Sequence, residues 1–124
     1  MKRVLLMALA LAVTLSFGLA YTAMADEGAA KGTTMTGYVI DTKCATANKD
    51  TLGDFVKTHS KDCAIACHDT GYNIFSEGKL YALDKASSDK AYDFLMKPDS
   101  KTNVKVELVV NGDTAILVSI VNAS

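Results

Sequence analysis

All three cysteines and both histidines of this 124-residue chain fall in one stretch of 25 residues, Cys44 to His68. They are Cys44, His59, Cys63, Cys67 and His68, and the last three belong to the contiguous string Cys63-Ala64-Ile65-Ala66-Cys67-His68. Thiolate and imidazole are the donors that hold zinc and copper, whereas calcium and magnesium take oxygen ligands. The cluster therefore points to a zinc or soft-metal site built from Cys44, Cys63 and Cys67 with His59 or His68. Residues four apart on a helix hold their Cβ atoms about 5–6 Å apart, while a disulfide wants roughly 3.5–4.5 Å. Cys63 and Cys67 on one helix thus suit a shared ion better than a shared bond, with His59 on the same face if the helix starts early and Cys44 arriving from outside it.

Two other chemistries use the same residues. A disulfide from Cys44 to Cys63 or Cys67 would leave one thiol over and make a non-catalytic structural or interaction module, with a stabilisation of about 3 kcal/mol from loop closure. Covalent haem c attachment is the third, since Cys63 to His68 spells C-x-x-x-C-H, one residue longer than the usual C-x-x-C-H. That extra residue turns the second cysteine about 100° around a helix. Asp41, Asp62 and Asp69 flank the cysteines, and acids beside a thiol raise its pKa rather than activate it. No catalytic residue is assigned: the glycines form no phosphate-cradling loop and no Ser-His-acid order stands out.

Charge excludes one large class of partner. Lys+Arg total 13 against 14 Asp+Glu, and the single arginine, Arg3, lies with Lys2 at the N-terminus. Without those two the balance is 11 − 14 = −3, and an acidic chain lacking arginine is a poor ligand for nucleic acid. Met1-Lys2-Arg3, the apolar run Val4 to Leu19 and Ala23-Met24-Ala25 before Asp26 read as a bacterial secretory signal peptide over 1–25. A soluble periplasmic or extracellular product of 124 − 25 = 99 residues is expected, with no stable membrane insertion after cleavage. The compartment would be oxidising.

These donors must be positioned by a small fold. Residues 26–33 read as a flexible Gly/Ala-rich leader and 34–124 as one domain. Thr34 to Asp41 reads as a first strand, Ser60 to His68 as a helix capped by Ser60 and stopped near Gly71, and Tyr72-Asn73-Ile74-Phe75 with Leu80 to Leu83 as a hairpin. A helix at about Ser88 to Lys97, capped by Ser87 or Ser88, precedes two strands that turn at Asn111-Gly112-Asp113. Five strands with a helix between the third and fourth is the order of a small OB-like barrel. The predicted class is mainly β with short helices, carrying a cysteine-bearing helical insert after the first strand; an α+β sandwich is the alternative.

The strings Gly37-Tyr38-Val39-Ile40-Asp41-Thr42-Lys43-Cys44, then His59 and Cys63-x-x-x-Cys67, then Gly78-Lys79-Leu80-Tyr81-Ala82-Leu83 resemble a group of small exported bacterial proteins. Those proteins share a G-x-V-x-D-x-x-C strand, a C-x-x-x-C insert and a G-K-x-Y-x-L hairpin. The resemblance spans about residues 35 to 121 and implies an OB-like barrel and the grouping of the cysteines; it implies no reaction. N-terminal sequencing of the exported protein is expected to begin at Asp26, and intact Met1 in a membrane fraction would contradict the signal-peptide assignment.

Overall fold

Strand β1 (Thr33–Asp41) changes character along its length: its first residues are mostly exposed, whereas Val39, Ile40 and Asp41 are all buried. Successive side chains of a strand point to opposite faces, so three buried residues in a row require cover on both sides. Val39 packs into the main core, and Ile40 packs on the opposite side against Ala45, Leu52 and Val56 of the segment that follows β1. The sheet is thus roofed at this end by the stretch that carries the cysteines and histidines.

The computed structural model describes residues 32–124; the expected signal peptide and most of the leader lie outside them. The remaining strands are β2 (Tyr72–Ser76), β3 (Lys79–Leu83), β4 (Asn103–Asn111) and β5 (Thr114–Asn122). β1 pairs with β4 through Thr33 to Tyr38 and with β2 through Tyr38 to Asp41, so one strand joins both edges and the five-stranded sheet closes into a ring, β1-β2-β3-β5-β4. At the changeover, a Cβ on Gly37 would collide with the Phe75 carbonyl oxygen, which explains a glycine there. The ring is sealed between β3 and β5 by only two parallel pairs, Ala82 with Thr114 and Leu83 with Ala115.

Turn chemistry follows the sequence. Glu77 and Gly78 both have positive φ (51° and 78°) in the β2–β3 turn, as a two-residue hairpin of the I′ kind needs. Gly112 (φ 64°) begins the corresponding turn between β4 and β5.

Among the described residues four α-helices complete the fold: α1 (Thr42–Ala47), α2 (Leu52–Thr58), α3 (Lys61–Ala66) and α4 (Lys85–Leu95). The first three, with short 3-10 turns at Lys49–Thr51 and His68–Thr70, form the insert between β1 and β2. The helix expected at Ser88 to Lys97 starts earlier, because Asp84 rather than Ser87 or Ser88 is its cap, accepting from the Ser87 N–H at 2.8 Å. Both serines are instead buried inside it. Ser88 Oγ accepts from the Tyr72 N–H at 3.0 Å, and Ser87 Oγ accepts from the Leu117 N–H at 2.8 Å. Lys90 Nζ donates to the Leu117 carbonyl at 3.1 Å. The two contacts to Leu117 satisfy β5 backbone groups where strand pairing with β3 has ended, which is how a small ring avoids an open edge.

Tyr72, fully buried, reaches from β2 to the insert and donates its hydroxyl to the Ala64 carbonyl at 2.7 Å. Removing the hydroxyl leaves that carbonyl without its partner in the core. Tyr72→Phe is therefore expected to lower unfolding free energy by about 1–3 kcal/mol in a urea titration, and an unchanged midpoint would show that α3 is anchored by other contacts.

Candidate metal centre

The last residue of β1 does two jobs with one carboxylate. Asp41 is the cap of α1: its Oδ2 accepts from the Cys44 N–H at 2.8 Å, a favourable use of an acid at a helix start. That bond fixes the first turn of α1 and with it Cys44. The other oxygen, Oδ1, faces His59 Nε2 at 3.2 Å.

His59 arrives from the opposite side of the insert. Leu52 and Val56 bury one face of α2 against Ile40, and the helix ends at His59, whose N–H donates to the Phe55 carbonyl at 2.9 Å. The backbone there turns extended (φ −64°, ψ 124°) before Ser60 caps α3 by accepting from the Cys63 N–H at 3.1 Å. The imidazole projects inward beside the Phe55 ring, with centroids 5.2 Å apart.

The side chains of His59 and Asp41 are 3% and 0% exposed. Despite their proximity, Asp41 Oδ1 and both ring nitrogens of His59 are buried without a hydrogen-bond partner among the described residues. Leaving a buried polar group unsatisfied costs about 1–3 kcal/mol, and more for a charge. Of these atoms Asp41 Oδ1 and His59 Nε2 face each other at 3.2 Å, while Nδ1 lies on another side of the ring. Asp41, Cys44 and His59 each bring one donor atom within 4.8 Å of the other two. A four-coordinate zinc ion with bonds of about 2.0–2.3 Å holds its ligand atoms roughly 3.3–3.8 Å apart, so a small inward adjustment would place an ion among them.

The electrostatics of Cys44 suit a metal better than a substrate. Burial first, and then the Asp41 carboxylate acting as hydrogen-bond acceptor and as negative charge, push its thiol up to about 11. Of the acids that flank the cysteines in sequence, Asp41 is the one that raises this thiol. A thiol held protonated at neutral pH is a poor nucleophile. A cation would take the place of that proton.

The other donors expected from the sequence are placed differently. Cys63 is exposed on α3, Cys67 is half-buried at its C-cap, and all three cysteines are free thiols. Neither Cys63, Cys67 nor His68 belongs to the set within 4.8 Å. His68 stacks on Tyr92 with centroids 4.5 Å apart, its Nδ1 lies 3.0 Å from the Ile65 carbonyl oxygen, and its Nε2 lies 3.0 Å from Asp69 Oδ1. Asp41 is the donor that sequence reasoning did not include. The available signal was an acid three residues before Cys44 at a strand end, which is the spacing of a helix cap.

Comparison with family models, with curated proteins and with solved structures finds no match. No helix among the described residues is long and apolar enough to cross a membrane.

The thiol environments give a direct prediction. With a pKa near 11 the thiolate fraction of Cys44 at pH 8 is about one in a thousand, so iodoacetamide should modify exposed Cys63 well before Cys44. Below pH 11 the Cys44 rate should rise about tenfold per pH unit, and Asp41→Asn should accelerate it. Mass mapping of the alkylated sites checks this order; Cys44 reacting first would contradict the assigned environment.

Proposed function

We propose that this protein is an exported metal-binding domain that holds a zinc or other soft transition-metal ion through Asp41, Cys44 and His59. The observation that carries this reading is the convergence of one donor atom each from Asp41, Cys44 and His59 within 4.8 Å of one another, with the Asp41 and His59 side chains buried. Zinc suits a mixed oxygen, nitrogen and sulfur set, and copper(I) would prefer thiolates alone. Cys63 and Cys67 lie on the neighbouring helix as further candidate thiolates.

The ring order, the parallel β3–β5 closure and the helix between β3 and β4 support an OB-like barrel as the scaffold. On it, the insert after β1 is the functional addition. Haem attachment through Cys63, Cys67 and His68 has less support, because both ring nitrogens of His68 already face acceptors. A disulfide-stapled module has no observation in its favour, since the three thiols are free.

Binding should release the Cys44 proton. Because that thiol is raised, affinity is weakest at low pH and log K should climb by about one per pH unit between pH 7 and pH 9. A competition titration of the reduced protein, residues 26–124, against a chromogenic chelator is expected to give one equivalent of zinc. Cys44→Ser, His59→Ala and Asp41→Asn should each weaken it by about tenfold or more, while His68→Ala leaves it unchanged. Circular dichroism would confirm that each variant is folded. No zinc bound by the wild type, or affinity indifferent to both Cys44→Ser and His59→Ala, would overturn the proposal.

A further inference from the structure

Three protein donors leave a fourth zinc position open, and what fills it decides whether the centre is closed, as structural sites are, or open to water and substrate, as catalytic ones are. Building on the metal-binding reading, we propose that Cys67 swings in as the fourth ligand, giving a closed zinc centre of Asp41, Cys44, His59 and Cys67.

The backbone already ties Cys67 to the start of α1. Thr70 Oγ1 donates to the Cys67 carbonyl at 2.8 Å and accepts from the Lys43 N–H at 3.3 Å, so a single hydroxyl bridges Cys67 to the residue before Cys44. Thr42 strengthens the junction from the same side, donating its N–H to the Gly71 carbonyl at 3.0 Å and its hydroxyl at 3.2 Å. On the far side, Tyr72, the cross-strand partner of Asp41, holds α3 by its bond to Ala64. The end of α3 is thus pinned against the two elements that carry Asp41 and Cys44.

Exposure separates the candidates in the same way. Cys67 is half-buried whereas Cys63 is exposed, and His68 is turned away onto Tyr92. Cys67 also has freedom to move: it is the C-cap of α3, with non-helical backbone (φ −102°, ψ 20°). A rotamer change there disturbs no helical interior. The energetic reason to move is the ion itself, which gains a second thiolate and loses a water. Two thiolates, an imidazole and a carboxylate would then enclose it, a donor set for storage or fold stabilisation rather than turnover.

X-ray absorption of the zinc-loaded reduced protein, residues 26–124, reads the sulfur count directly. Two sulfurs at about 2.3 Å are expected in the wild type, one in Cys67→Ser and two in Cys63→Ser, with zinc still bound in both variants. A single sulfur in the wild type would overturn the closed centre while leaving the three-donor site standing. Two sulfurs that survive Cys67→Ser but not Cys63→Ser would move the fourth ligand to Cys63 and equally overturn the assignment. A wild type that takes up no zinc at all would remove both proposals together.

Discussion

The carboxylate of Asp41 sits where the strand ring ends and the helical insert begins, and each of its oxygens holds a different part of that insert. Oδ2 caps α1 and fixes Cys44; Oδ1 confronts the buried imidazole of His59. A fully buried carboxylate is expensive unless its partners satisfy it. Only one of the two oxygens is satisfied by a hydrogen bond here. The second oxygen depends on the His59 imidazole, 3.2 Å away, as its nearest polar neighbour.

Everything around the site serves to keep those groups dry and close. Val39 faces the main core, filled by Ile74, Val104, Val106, Leu108 and Leu117, while Ile40 faces the small apolar cluster under α2. Asp41 follows on the same strand, so two packed layers define its position. The chain then spends most of its length between β1 and β2 on short helices whose caps, Asp41 and Ser60, each precede a cysteine by three residues. Capping and donor placement are thereby one arrangement: the residue that starts a helix also sets the direction of the thiol in its first turn.

Strands were readily legible because alternation and turn residues are local signals. Thr34 to Asp41, the Glu77-Gly78 hairpin and the Asn111-Gly112 turn all appear close to where the sequence puts them, and Ser60 does cap the third helix. The errors come from tertiary demands. Ser87 and Ser88 look like caps but are drawn inward to satisfy the Leu117 and Tyr72 N–H groups, a role visible only once β5 and β2 are in place. α1 was not expected at all, since six residues carry too little periodicity to announce a helix. The candidate site was legible in kind more than in membership. Clustered cysteines and histidines indicated metal chemistry, and Cys44 and His59 do meet. Asp41 joins them because the fold, which no pattern of residue types encodes, buries this capping acid with its second oxygen against His59.

The metal-binding proposal turns on the buried His59 imidazole. Long-range proton–nitrogen NMR of the two histidine rings, recorded on the reduced protein before and after one equivalent of zinc, tests it at the atoms concerned. One ring nitrogen of His59 is expected to shift to a metal-bound position while both nitrogens of His68 stay where they were. An unmoved His59 ring, with zinc present at full stoichiometry, would contradict it.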